Sequence, residues 1–512
     1  MSLARTWAAS LSGVTGHLVA VEADLAAGLP GTTVIGLGDA AVSQSRDRIR
    51  AAVLNSGVKW PDRRITLALS PAGMRKQGAG FDLALAVAVL AADGVVPAAE
   101  VDGPVLLGEL GLDGAVRPVR GVLPCLLAAR AAGRRDAVVP VENLAEAALS
   151  GLRVRGARSL RDLVESLRGD GTQLVLPDPP ADAAAVAGSP GGPDMTDVLG
   201  QPEARAALEL AAAGGHHLAM VGPPGSGKTM LASRLPGLLP PLDAEQALEV
   251  TAVHSVAGML DEDTPLLTAP PFVDPHHTSS RAALVGGGTG TVRPGSISLA
   301  HHGVLFLDEA PEFDRRALDA LRQPLESGAV LLARSGGATR FPARFQLVVA
   351  ANPCPCAAAR DVDCACPPGE RRRYLGRLSG PLLDRVDIRI DLPALDAPTL
   401  ARCAAAAADA PESSAVIRQR VLAARDRAAH RWAGTPWRRN ADVPGPAVRR
   451  RWQPGPSEQH LLDRAVDTGR LTGRGYDRVL RLALTAADLA EQDIPGPHQV
   501  ATALALRCGD AA

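Results

Sequence analysis

The chain has 512 residues, 46% of them apolar and only 3% aromatic, with a formal net charge of −1. That length points to about three domains, and the apolar fraction is ample for several cores. The near-zero charge excludes a polybasic nucleic-acid-binding chain, so any such contact has to come from a local patch or from loops. Of seven cysteines, Cys125, Cys403 and Cys508 are scattered and four cluster between Cys354 and Cys366, which is no secreted disulfide framework. Met1 to Ser12 lack an apolar signal core, and no run approaches the ~18 apolar residues of a bilayer span. A soluble, cytoplasmic protein with no membrane partner is expected.

Within residues 1–168, strand-like runs at 16–22, 32–36, 65–69 and 105–108 alternate with helix-like runs at 40–55, 81–92 and 121–132. Such alternation predicts an α/β or α+β domain, and it contains no nucleotide loop. Residues 169–193 read as a flexible linker, or else as a loop packed on a neighbouring domain. Pro177-Asp178-Pro179-Pro180, an alanine run and Gly188-Ser189-Pro190-Gly191-Gly192-Pro193 allow no regular element there.

Residues 194–395 carry the chemistry. An apolar run at 217–221 leads into Gly222-Pro223-Pro224-Gly225-Ser226-Gly227-Lys228-Thr229, and a helix follows near Met230. Strand, glycine-rich loop, helix is the context in which backbone N–H groups and a helix N-terminus cradle phosphates. Lys228 is placed to reach the β- and γ-phosphates of ATP, and Thr229 to hold Mg²⁺. About eighty residues on, Gly303-Val304-Leu305-Phe306-Leu307-Asp308-Glu309 reads as a buried strand ending in two carboxylates. Asp308 suits the Mg²⁺ sphere and Glu309 the activation of water; the bland alternative is an acidic helix start. A further strand, 345–351, ends at Asn352, which otherwise caps a turn. Cys354, Cys356, Cys364 and Cys366 offer four thiolates for a closed structural Zn²⁺ site, with redox pairs or free thiols as alternatives. Residues 396–512 are helical in pattern. Arg431-Trp432, Trp437-Arg438-Arg439 and Arg449-Arg450-Arg451-Trp452 either stack bases or form a solvated face over half-buried indoles.

The nucleotide motifs resemble those of AAA+ ATPases. That resemblance implies that Asp197-Val198-Leu199-Gly200-Gln201 lies beside the adenine, with Val198 and Leu199 touching it, and that Asn352 is the sensor reading the γ-phosphate. Ser379-Gly380-Pro381-Leu382-Leu383-Asp384-Arg385-Val386-Asp387 is similar to the arginine-finger segment. Arg385 would then serve a neighbouring subunit, unless it pairs with Asp384 or Asp387. A finger implies a ring, expected to be a homo-hexamer. Arg474, in Leu471-Thr472-Gly473-Arg474-Gly475-Tyr476-Asp477-Arg478, matches the sensor 2 segment of a lid over the nucleotide; Leu484 stands where the family more often has arginine. Pro271-Phe272-Val273-Asp274-Pro275-His276-His277-Thr278, Gly286-Gly287-Gly288-Thr289-Gly290 and Arg293-Pro294-Gly295 look like the insert of the magnesium-chelatase and replicative-helicase branch. The two histidines are expected to diverge rather than share a metal. The stretch from Val330 to Phe341 reads as a hairpin that projects into a pore, with Arg334, Arg340 and Arg344 for phosphates.

Gly28-Leu29-Pro30-Gly31, Pro71-Ala72-Gly73, Phe81-Asp82-Leu83-Ala84 and Gly108-Glu109-Leu110-Gly111-Leu112-Asp113-Gly114 resemble the N-terminal domain of the ComM/YifB family of magnesium-chelatase-like proteins. The resemblance spans nearly the whole chain. It implies an α/β AAA+ P-loop core with a parallel sheet, a helical C-terminal lid, and an N-terminal α+β Lon-like (ribosomal S5 domain 2-like) domain. Lon's serine and lysine positions fall on Gly80 and Leu123, so peptidase activity is not expected. The implied function is an ATP-driven motor on single-stranded or branched DNA, similar to the family's branch-migration helicase of recombination and natural transformation. The rivals are a chelatase motor, for which no D-x-S-x-S partner motif is present, and a protein-remodelling ATPase.

Overall fold

The computed structural model describes residues 3–36, 40–73, 76, 78, 80–171, 173–178, 192–261, 264–288, 292–334, 337–358, 363–394 and 411–509. Most of the linker reading, Thr289 and Gly290 of the insert, Cys403, and the first residues of the helical region fall outside them.

A mixed sheet organises the N-terminal part. Its strands are β1 (Leu3–Ser12), β2 (Thr15–Ala26), β3 (Gly31–Ile35), β4 (Arg64–Ser70), β5 (Val105–Leu106), β8 (Asp136–Pro140) and β9 (Arg153–Ala157), in the order β3-β4-β2-β1-β5-β8-β9. A small ladder, β6 (Glu109–Leu110) with β7 (Val116–Arg117), stands apart. The helix Asp82–Ala92 is buried from Asp82 to Ala91. A carboxylate inside such a helix needs partners. Asp82 has them in Arg48 (Nε to Oδ2, 2.6 Å) and the Leu110 amide (3.2 Å).

The second sheet is parallel throughout: β10 (Leu218–Val221), β11 (Phe272–Val273), β14 (Val304–Leu307), β17 (Gln346–Ala351) and β18 (Ile388–Asp391), ordered β11-β14-β17-β10-β18. Parallel sheets are covered on both faces, which is why these strands read as unbroken apolar runs. Alternate residues divide accordingly. Leu218, Met220, Val304, Phe306, Val348 and Ala350 join the helices Pro202–Gly214, Ser414–Arg431 and Gly473–Leu489 in one core. Leu305, Leu307, Leu347, Val349 and Ala351 face a second core with Leu284, Ile297 and Leu321. The C-terminal helices therefore pack on a face of this sheet.

Between the cores run the ladder β12 (Gly286–Gly287) with β13 (Arg293–Pro294), and the hairpin β15 (Ala329–Arg334) with β16 (Gly337–Pro342). The hairpin is anchored at its base, where Ala329, Val330 and Phe341 are buried, and carries Leu331, Arg340 and the nearby Arg344 on the surface. The β1–β2 turn of the N-terminal sheet rests on this hairpin. Gly13 is left-handed (φ +65°), and a Cβ there would come within 2.5 Å of the Arg340 carbonyl oxygen. The helix Ala244–Ala257 makes a further contact between the two parts, with the Ser255 hydroxyl donating to the buried Glu146 carboxylate.

Candidate functional site

Parallel register puts every strand's C-terminal end on one edge of the sheet, and the site is built there. The loop after β10 turns through left-handed glycines at Gly225 (φ +78°) and Gly227 (φ +90°) into the helix Lys228–Leu238. A Cβ on Gly222 would meet the Leu392 carbonyl oxygen at 2.6 Å and Ser226 Oγ at 2.7 Å, whereas nothing lies within 4 Å of one on Gly225. Glycine is thus forced at the first position, and the mouth of the loop is open at the second. The Ser226 hydroxyl is buried with no partner among the described residues. An open turn of N–H groups at a helix start, with an orphaned hydroxyl beneath it, fits a bound triphosphate.

Lys228 is almost fully buried and donates to the Gly222 and Pro223 carbonyls (2.6 and 2.9 Å) and to Asn352 Oδ1 (3.2 Å). Burial pulls its ammonium below the ordinary lysine range, opposed by the charges of Asp308 and Glu309. The Thr229 hydroxyl donates to Asp308 Oδ2 at 2.8 Å. Two hard oxygens at that separation, on facing elements, are a donor pair suited to Mg²⁺. Asp308 also accepts from the Glu309 amide (2.9 Å). Glu309 itself is left-handed (φ 48°), a conformation that costs a non-glycine residue about 1–2 kcal/mol. It is held because β14 ends there and Pro311 opens the next turn.

Two residues of the adenine and insert segments make contacts at this edge that the sequence does not show. The Gln201 amide donates to the carbonyls of Ser226 and Pro393 (both 3.2 Å), tying the buried Val198 and half-buried Leu199 to the phosphate loop. His277 Nδ1 lies 3.5 Å from Glu309 Oε2. β11 pairs with β14 in register, so the residues after each strand emerge side by side. The two histidines also do not diverge: their rings stack 4.2 Å apart. Only the strand order could have revealed either contact.

Arg385 and Arg474 sit elsewhere. β18 aligns Ile388 with Leu218 and Asp391 with Val221, so residues before Ile388 lie about 10 Å of strand away from the chain's own loop. Arg385 pairs with Glu326, not with Asp384 or Asp387. Asp387 is buried and engaged by Arg478. Arg474 is 80% exposed and 3.6 Å from Asp384, so it shares the finger segment's end of the sheet. The buried Arg478–Asp387 pair fixes this arrangement. Leu484 is core.

The four clustered thiols converge, with Sγ separations of 3.3 Å (Cys354–Cys356), 3.5 Å (Cys356–Cys364) and 3.3 Å (Cys364–Cys354), and Cys366 completes the group. These separations exceed a disulfide's ~2.05 Å and fit the corners of a small tetrahedron around one ion. Glu249, His301 and His302 also converge. There the His301 Nδ1 accepts the Arg344 amide (3.0 Å), so its proton is on Nε2 and goes to Glu249 (3.1 Å). A metal on that nitrogen would displace the proton onto Nδ1, against the amide. The trio is a clamp between two elements. In the arginine–tryptophan stretch, Trp432 and Trp452 are core residues, Trp437 is half-buried, and Arg431, Arg439 and Arg449 are paired with Asp488, Asp442 and Asp477, while Arg438, Arg450 and Arg451 are exposed.

Two largely enclosed histidines set an acid limit. His217 Nδ1 accepts the Leu347 amide (3.0 Å), and burial holds both His217 and His302 down to about 4 from 6.5. Between these values the unfolded chain takes protons that the folded chain refuses, so stability is complete above 6.5 and is lost as pH falls towards 4. Glu146, whose buried carboxyl is raised, acts in the opposite sense. With about 1.4 kcal/mol for each pKa unit, the melting temperature should fall clearly between pH 7 and pH 5, and less so in His217→Gln. A flat profile would contradict the enclosed, neutral rings.

A phosphate loop, paired carboxylates just past the end of β14 in a β11-β14-β17-β10-β18 sheet, and a helical C-terminal region define the magnesium-chelatase class of AAA+ proteins. Residues 194–400 match the family described as magnesium chelatase, subunit ChlI; residues 21–143 match subunit ChlI of Mg-chelatase, and 411–507 its C-terminal part. The chain is 53% identical to an uncharacterised protein of Mycobacterium tuberculosis over 511 residues, 99% of each chain. It is 41% identical to competence protein ComM of Haemophilus influenzae (99% of this chain, 98% of that one) and 40% identical to the uncharacterised protein YifB of Escherichia coli (100% and 98%). It belongs to the ComM/YifB family of magnesium-chelatase-like proteins. Among the described residues no helix is long and apolar enough to cross a membrane.

Proposed function

We propose that this protein is a Mg²⁺-dependent ATP hydrolase that assembles as a homo-hexameric ring and moves on single-stranded or branched DNA in the cytoplasm. The observation that carries the hydrolase reading is the convergence of Lys228, Thr229, Asp308 and Asn352 through hydrogen bonds of 3.2 Å or less beside Glu309. Mg²⁺ held by Thr229 and Asp308 would offset the charge on the β- and γ-phosphates. Lys228 would exchange its carbonyl partners for phosphate oxygens. Glu309 takes the proton of the attacking water, Asn352 orients that water, and Val198 and Leu199 border the base. Arg385 and Arg474, both at the far end of the sheet, serve the γ-phosphate bound by the adjacent protomer, which makes each site a shared one. The four thiols hold structural Zn²⁺ next to Asn352.

The N-terminal part is read as a Lon-like domain without peptidase activity. Leu123 is buried and its amide serves Glu146, and Gly80 has no side chain to act as a nucleophile. The DNA reading is supported by the exposed Arg340 and Arg344 at the hairpin and by likeness to a protein named for competence. ATP turnover should rise with single-stranded or branched DNA, with Lys228→Ala as the blank. Equal turnover with single-stranded, duplex, branched and no DNA would remove the DNA reading. It would leave a chelatase-like or protein-remodelling ATPase, the first of which the family description favours.

A further inference from the structure

Arg385 is the cation on which the shared site depends, and in the protomer it is already engaged. Its Nη2 donates to Glu326, and its Nη1 donates to the Pro381 carbonyl at 2.6 Å. The side chain is only 12% exposed, whereas Glu326 is 65% exposed. The third donor, Nε, is buried without an acceptor among the described residues. A guanidinium has five N–H donors and satisfies them best on a planar anion. One carboxylate and one carbonyl, with the buried Nε–H left without an acceptor among the described residues, is an incomplete environment that a phosphate group would improve.

The position of Glu326 gives the pair its meaning. It lies in the helix Arg322–Ser327. Gly328, left-handed at φ +64°, then turns the chain directly into β15 of the surface hairpin. The Ser327 hydroxyl ties that junction, lying within donating distance of either the Gln323 (3.0 Å) or the Ala329 (2.9 Å) carbonyl and accepting from the Ala329 amide (3.4 Å). Displacement of the hairpin is therefore passed to Glu326 through one short, hydrogen-bonded turn.

We propose that Glu326 is a positioning residue that parks Arg385 within its own protomer and frees it when the hairpin is displaced by a bound polymer. This rests on the proposed role of Arg385 as the cation lent to the neighbouring site. Occupation of the hairpin and attack on ATP are then coupled through a single ion pair. Because the pair is half exposed, its own strength is modest. Its effect comes from competing with the phosphate for the same guanidinium.

The experiment compares the full-length wild type, Glu326→Gln, Glu326→Ala, Arg385→Ala and Glu326→Gln/Arg385→Ala for ATP turnover with and without branched DNA. Melting temperature serves as the folding control. Both Glu326 variants should raise DNA-free turnover roughly fivefold or more and shrink the DNA-dependent increment. Arg385→Ala should abolish turnover whether or not Glu326 is present. If Arg385→Ala is silent but the single Glu326 variants are inactive or unchanged, the sketch fails at the finger, and the proposed role of Arg385 falls with it. If Arg385→Ala is inactive while the Glu326 variants match wild type, or fall to its level with normal melting, the finger reading stands and the parking role of Glu326 is overturned. If wild type ignores DNA, the rise in DNA-free turnover alone decides the parking role.

Discussion

Arg385→Ala should lower ATP turnover by about 10³-fold while leaving nucleotide affinity within a small factor. The split follows from geometry. Arg385 precedes Ile388, which aligns with Leu218 at the start of β10, whereas the phosphate loop begins after Val221 at its end. Arg385 cannot help to grip the ATP held by its own chain. On the proposed function it acts on the charge that develops at a neighbour's γ-phosphate, and an interaction made only in the transition state raises kcat without tightening binding. Single-turnover kinetics and nucleotide titration on the same preparation separate the two effects. Comparable losses in affinity and turnover would mean that Arg385 belongs to the cradle.

Lys228→Ala should behave differently, losing both. Lys228 is the ammonium buried at the bottom of the loop, bonded to two loop carbonyls and to Asn352. Removing a hydrogen bond to a charged group costs about 1.5–3 kcal/mol, or about 10- to 100-fold in ATP affinity. Loss of a positioned donor lowers turnover by about 10²- to 10³-fold. The fold should survive, which the melting temperature checks. Binding of a fluorescent ATP analogue is the direct readout. Unchanged affinity would mean that the triphosphate is held elsewhere.

The parts of this account that were legible in the sequence are those fixed by local chemistry. A glycine-rich loop with lysine and threonine, and two acids closing an apolar strand, declare themselves because the backbone and the phosphate demand those residue types within a few positions. The strand runs at 16–22, 32–36 and 65–69 and the helices at 40–55, 81–92 and 121–132 were readable for the same reason. β1 was not. Its sequence, Leu-Ala-Arg-Thr-Trp-Ala-Ala-Ser-Leu-Ser, has no β-branched run, and its strand character comes from ten paired positions with β2. That is a tertiary override of weak propensity.

Contacts that depend on strand order were equally hidden. His277 meets Glu309 only because β11 lies beside β14. Gln201 reaches the loop only because its segment folds under Pro393. The approach of Arg474 to Asp384, 3.6 Å away, depends on how the C-terminal helices pack and was equally hidden. The tryptophans near the C-terminus had two readings from sequence. Burial decided for packing at Trp432 and Trp452, since indoles enclosed in the core have no face left for a base.

The central claim is that ATP is held by one protomer and split with a cation from the next. Mixing tests it most directly. Lys228→Ala and Arg385→Ala proteins are each expected to be inactive alone. In mixed rings, an Arg385→Ala protomer keeps an intact loop and can receive Arg385 from a Lys228→Ala neighbour. Turnover should therefore reappear on mixing and peak near equal proportions. A mixture as inactive as its components, after exchange of subunits has been verified, would contradict a shared site.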